Sequence, residues 1–168
     1  MAAVCEQSID LFGQTLPSID KLQQLADQIN SSEKNRIAFS EQLARQTGAS
    51  AMAKGAANCI LSNWDTTIEC LNSAPDGKEK FILLAYAYRR SGSFDKALDA
   101  LNKAKEHQAE ALLVHLETAA VLRDAGNIEK AFEQFKLCSN FENLSAQYHY
   151  ELGRCHQAAG DYKTALEQ

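Results

Sequence analysis

Three six-residue blocks recur along this chain: Gly92-Ser93-Phe94-Asp95-Lys96-Ala97, Gly126-Asn127-Ile128-Glu129-Lys130-Ala131 and Gly160-Asp161-Tyr162-Lys163-Thr164-Ala165. Gly92 to Gly126 and Gly126 to Gly160 are the same distance along the chain. Each block reads glycine, polar residue, large apolar residue, two polar or charged residues, alanine. A fixed stride of this kind points to one supersecondary unit used repeatedly, each copy burying its apolar face against its neighbour.

The block has a direct physical reading. Glycine ends one helix, because the residue just past a helix often needs a left-handed backbone. Ser93, Asn127 and Asp161 are residues of the N-cap type. The large apolar residue opens the next helix facing inward. Alanine follows one helical turn later on the same face and lets two helices approach closely. Upstream of the first glycine, Phe81, Leu84, Ala85 and Tyr88 share one helical face. His115, Thr118, Ala119 and Leu122 fill the same slots in the next copy, and His149, Leu152, Gly153 and His156 in the third. Downstream, Leu101 and Ala104 match Phe135 and Cys138. The unit is helix, tight turn, helix.

These blocks resemble the tetratricopeptide repeat family, whose unit is about 34 residues long. The glycine stride keeps that period, and the small, aromatic and glycine positions match. Phe81, His115 and His149 stand at the usual Trp-like first position, and Ala109 and Asn143 replace the usual closing proline. The resemblance implies an all-α fold, a right-handed superhelical array of antiparallel helix pairs. In such an array first helices line a concave groove and second helices lie outside.

The expected organisation is an N-terminal segment over 1–47, a degenerate repeat over 48–76, repeats over 77–111 and 112–145, and an incomplete repeat over 146–168. In the degenerate copy Asn63-Trp64-Asp65-Thr66-Thr67-Ile68 opens the second helix, Ser62 stands where glycine would be, and Gly55 is the small residue of the first helix. The interval from Ser62 to Gly92 falls short of the full stride, so a shortened turn is expected near Pro75-Asp76-Gly77. Within 1–47, Gly13 and Pro17 interrupt the start. Ser18 then caps a helix with Ile19, Leu22, Leu25 and Ile29 inward, Asn30-Ser31-Ser32 turns, and a second helix runs from Glu33 to Gln46 with Ile37, Leu43 and Ala44 apolar and Gly48 closing it. This hairpin is expected to cap the array. A last repeat cut short at Gln168 is expected to be part of a longer protein.

The chain has 168 residues with 17 basic and 22 acidic side chains, a net charge of -5 that argues against a nucleic-acid binder. The longest apolar-aromatic run, Phe81 to Tyr88, is far shorter than the about 20 residues of a membrane span. Glu6 and Asp10 do not suit a secretory signal. Five cysteines, Cys5, Cys59, Cys70, Cys138 and Cys155, fit no metal or redox spacing and read as free thiols of the cytoplasm. Asn30-Ser31-Ser32 and Asn143-Leu144-Ser145 match the glycosylation pattern, which needs a secretory route to matter.

No phosphate-binding glycine loop, HExxH or CxxC is present, so no catalytic residue, cofactor or metal is assigned and the chain reads as non-enzymatic. His115 and His149 share one repeat slot and His156 an aromatic one, which makes them seam residues. His149, Cys155 and His156 do not converge on one metal, since adjacent helical residues point about 100° apart. Glu129 and Glu133 lie one turn apart on a solvated face. Phe39 to Ser50 resembles the start of a helix-turn-helix through Ala44 and Gly48. Its second helix would place Lys54 inward and offer Ser50, Ala51 and Ala53 rather than base-reading donors. A helix-turn-helix regulator carrying a repeat array is therefore the weaker alternative.

The groove implied by the resemblance holds Glu79, Ile82, Tyr86 and Arg89 in one copy, Leu113, Leu116, Ala120 and Arg123 in the next, and Gln147, Tyr150, Arg154 and Gln157 in the last. Met52, Ala56 and Cys59 are the counterparts in the degenerate copy. Four of the six arginines, Arg89, Arg90, Arg123 and Arg154, fall at or near it. Their forked guanidinium groups suit carboxylates, so the expected partner is a protein or peptide segment with acidic and apolar side chains. The competing reading pairs these arginines with Asp124 and Glu117 instead. Family members that clamp the acidic tail of chaperones use Lys, Asn and Arg. Here the matching slots hold Met52, Ala56, Leu83, Leu113 and Glu117, or Ile82, Tyr86, Glu117, Gln147 and Glu151, so that partner is not expected. Two further readings are the N-terminal region of a larger enzyme, such as a transferase, and a homo-oligomer formed through open repeat ends.

Overall fold

The computed structural model describes residues 11, 19–138, 140 and 146–168. Cys5, Gly13, Pro17, Ser18, the side chain of Ile19 and Asn143-Leu144-Ser145 lie outside that description. Among the described residues the chain forms ten α-helices and no strand. No helix there is long and apolar enough to cross a membrane. The chain divides into two units, Met1–Pro75 and Asp76–Gln168.

The first unit contains α1 (Ile19–Asn30), α2 (Glu33–Arg45), α3 (Ala51–Ile60) and α4 (Trp64–Asn72). Leu22, Leu25 and Ile29 form the buried stripe of α1. Along α2 Phe39 is the buried apolar residue, whereas Ile37 is 53% exposed. Ser32 caps α2 by accepting from Asn35 N at 3.2 Å, and Ser50 caps α3 by accepting from Ala53 N at 3.1 Å. The far end of α3 is capped from outside: Asn30 Nδ2 donates to the Ile60 carbonyl at 3.0 Å and an Arg36 amine to Leu61 at 3.1 Å. Those two carbonyls belong to the group a helix end leaves without internal partners.

α3 and α4 form a tight hairpin. Gly55 is required there, since a Cβ built on it would stand 2.5 Å from Leu71 Cδ2. Ser62 takes the glycine slot and adopts the glycine backbone, with φ of 63°. Thr67, fully buried, satisfies its hydroxyl by donating to the Asn63 carbonyl at 2.9 Å.

The second unit contains α5 (Lys78–Arg90), α6 (Phe94–Glu106), α7 (Ala111–Asp124), α8 (Ile128–Leu137), α9 (Ala146–Ala158) and α10 (Tyr162–Glu167). Three hairpins follow one another, α5 with α6, α7 with α8 and α9 with α10. Gly92, Gly126 and Gly160 close the first helix of each, at φ of 77°, 81° and 80°. The residue after each glycine donates its N–H back into the helix just ended, Ser93 to Tyr88, Asn127 to Leu122 and Asp161 to His156, at 2.8, 2.8 and 2.9 Å. With the bonds from the glycines themselves this is the left-handed helix stop that spares a side chain its steric cost. Gln108 makes the same stop between α6 and α7 at φ of 62°.

Ser93, Asn127 and Asp161 occupy the N-cap positions, but only Asp161 makes the side-chain bond, accepting from Thr164 N at 3.2 Å. Ala97 and Ala131 are fully buried. Phe135, Tyr148, Leu116 and Cys155 join α7, α8 and α9 in one apolar cluster, with Phe135 edge-on to Tyr148 at 5.5 Å between ring centres. Burying a side chain such as Phe135 is worth about 1.5–3 kcal/mol.

Candidate functional site

α5, α7 and α9 are the first helices of the three hairpins, and each contacts the next. Their shared edge carries the charges singled out in the sequence. Arg89 and Arg123 do not stand open to a ligand: they are 7% and 6% exposed. Arg89 reaches from α5 to Glu117 at 3.6 Å and Asp124 at 3.1 Å, both on α7. Arg123 reaches from α7 to Glu151 on α9, and also pairs with Asp124 at 3.0 Å. The same staple is made twice, an arginine near the end of one first helix holding a glutamate in the middle of the next. Tyr86 lies over the Arg89 guanidinium at 5.1 Å. Arg89 Nε is buried with no hydrogen-bond partner among the described residues.

Electrostatics follow from this burial. Burial pushes the Glu117 carboxyl above its ordinary value; Arg89 and Arg123 oppose the shift, while Glu151 and Asp124 add to it. For Arg123, burial works against the charge. The hydrogen bond and charge of Glu151, with Asp124 behind, outweigh it and hold the guanidinium above its ordinary value. The arrangement is a neutralised structural network rather than a bare cationic row.

The other expected groove residues divide by burial. Leu116 is 1% exposed within the apolar cluster and Ile82 is 5% exposed, so neither offers a partner surface as the helices stand. Tyr86, Leu113 and Arg154 are half-buried, and Glu79, Gln147 and Tyr150 are exposed. Arg154, with a side chain 40% exposed, lies 4.0 Å from Glu151 and 5.8 Å from the Tyr150 ring. The accessible part of the row is therefore Glu79, Tyr86, Leu113, Gln147, Tyr150, Arg154 and the exposed Gln157, while Ala120 is buried. Met52, Ala56 and Cys59 belong to the first unit, where Ala56 is buried.

The histidines are seam residues. His115 Nδ1 hydrogen-bonds Gln134 Oε1 at 2.9 Å, joining α7 to α8. His156 packs on Phe132 at 4.8 Å between ring centres and lies 3.5 Å from Asp161. Among the described residues no group of three His, Cys, Asp or Glu is gathered as a metal would require. Cys59, Cys70, Cys138 and Cys155 are free thiols. Burial pushes Cys59 up to about 12 and Cys155 up to about 11, which leaves both as thiols and poor nucleophiles at neutral pH. Lys54, on the helix that a helix-turn-helix would present to DNA, donates to the Thr47 carbonyl at 3.1 Å. Most of that helix, from Ala53 to Ile60, is buried.

Comparison with protein-family models and with curated proteins finds no match for this chain. A second recurrence accompanies the arginines along the chain. Glu117 stands as far beyond Arg89 as Glu151 stands beyond Arg123. That repeated offset was the available signal that the arginines face a neighbouring helix.

Proposed function

We propose that this chain is a non-enzymatic protein-interaction module. In this reading its hairpins form a tetratricopeptide-like, right-handed superhelical array, and a peptide or protein segment lies along the row of first helices. One observation carries the reading: α5, α7 and α9 pack consecutively, and the Arg-to-Glu staple recurs between them in the same register. A rigid, evenly spaced row of helices can present side chains at fixed intervals to an extended partner.

Arg89 and Arg123 keep that row aligned. Contact with the partner falls to Glu79, Tyr86, Leu113, Gln147, Tyr150 and Arg154. Tyr86 and Tyr150 are rigid amphipathic anchors of the kind enriched at interfaces. Arg154 supplies the preference for an acidic side chain. The test is selection from a displayed random-peptide library against the whole chain. The reading expects an enriched consensus whose binding is lost in a Tyr86→Ala, Leu113→Glu double variant that keeps its helical circular dichroism. Failure to enrich any consensus, or binding unchanged in that variant, refutes it.

A further inference from the structure

We propose that the segment lying along the first helices carries a basic side chain, lysine or arginine, that docks on the α5–α7 edge with its charge on Glu117 and its stem against Tyr86. This deepens the interaction reading and rests on it. The repeat supplies an internal control, because two staples are built at the same offset, Arg89 with Glu117 and Arg123 with Glu151. The second is closed: Arg123 donates a hydrogen bond to Glu151, whose side chain is 10% exposed. The first is slack. Arg89 donates to Asp124 at 3.1 Å and stands 3.6 Å from Glu117, beyond hydrogen-bonding distance. Among the described residues Glu117 accepts no hydrogen bond, and its side chain is 17% exposed.

The composition of the network explains the difference. Three carboxylates, Glu117, Asp124 and Glu151, share the two buried arginines. Asp124 accepts from both, from Arg89 at 3.1 Å and from Arg123 Nε at 3.0 Å. Arg154, the further arginine of this edge, stands against Glu151 at 4.0 Å. Glu117 is left as the carboxylate with free acceptor sites, in a setting where a charged acceptor is ordinarily met by donors. Burial pushes its carboxyl up and Glu151 and Asp124 push the same way, so one more cation at this point lowers the cost of the ionised form. α9 is already packed on α7, so Glu117 stays open with the next first helix in place.

The surroundings select a cation over an anion. Arg89 and Arg123, which could hold an anion, are buried, whereas the carboxylates of Glu117 and Asp124 keep an open side, 28% for Asp124. An incoming group therefore meets the acidic side of the network. Tyr86 and Glu117 flank the same Arg89 guanidinium, the ring at 5.1 Å and the carboxylate at 3.6 Å. An aromatic ring beside a carboxylate receives both the apolar stem and the charged head of a lysine or arginine. Glu79, exposed on α5, adds a further acid to this part of the row. With Arg154 facing an acid on α9, the partner's charges are ordered along the row, base at α5–α7 and acid at α9.

The probe is the peptide enriched from the displayed random library on the whole chain, synthesised with a fluorophore and titrated by anisotropy. One fixed lysine or arginine is expected in the consensus. Replacing it in the peptide by methionine, which keeps an apolar stem, should weaken binding to the parent about tenfold or more, and binding to Glu117→Gln less than about threefold. Glu117→Asp, which keeps the charge but withdraws it, is the second variant and should lose an intermediate factor. Native circular dichroism is required of both. A consensus without a basic position overturns this proposal and leaves the groove reading standing. So does an equal loss on parent and variants, since water alone then meets Glu117. No consensus at all removes the groove reading and this proposal with it.

Discussion

Arg123 and Glu151 provide the most demanding test of what the charged edge does. Arg123 is 6% exposed and Glu151 8% exposed, and they meet between α7 and α9. Removing one partner of a buried pair leaves the other charge buried, at a cost of about 3–5 kcal/mol. Each single variant keeps a fallback here. Glu151→Leu leaves Arg123 with Asp124 at 3.0 Å, whose side chain is 28% exposed. Arg123→Leu leaves Glu151 with Arg154 at 4.0 Å. Both losses should therefore fall at the low end, about 3 kcal/mol. The double variant replaces both charges by apolar groups and should cost about 1–2 kcal/mol rather than the sum of the singles. Urea titration followed by circular dichroism reads this directly, with the midpoint of each single variant falling by about 1–2 M. Single variants within about 0.5 kcal/mol of the parent, or losses that simply add, would refute the staple.

Two further outcomes concern Glu117 and the helix stops. Because the folded-state pKa of Glu117 lies above the ordinary 4.5, its ionisation costs stability. That cost is absent below 4.5, grows as pH rises through the folded value and is complete above it. Glu117→Gln should then gain ground on the parent in urea midpoint between pH 4 and pH 7.5, over and above the pH-independent cost of losing the Arg89 contact, and a variant that loses ground over that range contradicts the assignment. Ser62 and Gln108 hold left-handed backbones at φ of 63° and 62° without being glycine. Ser62→Gly and Gln108→Gly should each stabilise by about 0.5–1 kcal/mol, and Gly126→Ala should destabilise by about 1 kcal/mol, as measured by thermal unfolding; opposite signs would discredit the helix-stop reading.

The helices and their stops were readable because each depends on local chemistry. Gly92, Gly126 and Gly160 mark backbones that few other residues adopt, and Leu22, Leu25 and Ile29 share a face by spacing alone. Ser62 was found in the glycine slot because the surrounding pattern demanded a turn there. The caps were less legible. Ser93 and Asn127 sit at the right positions, yet the glycine stop before them sets a backbone in which neither makes a side-chain bond. In α2 the periodicity named Ile37, while tertiary packing took Phe39. Helical angle alone puts Leu116 and Ile82 on the groove side, yet both are buried. A first helix in this unit is contacted by its own second helix and by the next first helix, so its buried arc is wider than one stripe.

The arginines show where a repeated pattern is ambiguous. A cation recurring once per stride gives the same sequence signal whether it lines up for a ligand or binds the next copy. The two cases separate only when a complementary charge recurs at its own fixed offset. Arg89 with Glu117 and Arg123 with Glu151 meet that condition, and the geometry closes both pairs. The degenerate copy supports the rule from the other side. Allowing for its shortened turn, its arginine slot is Cys59, and the acid slot of the copy that follows is Leu83, so both charges are missing together. An arginine selected to grip a ligand has no reason to lose a glutamate one copy away. An arginine whose buried charge needs that glutamate does, because either charge left alone costs more than the pair contributes. By the same logic, Arg154 sits outside the staple slot on a half-open side chain. It is the arginine of this edge whose charge remains for something other than the neighbouring helix.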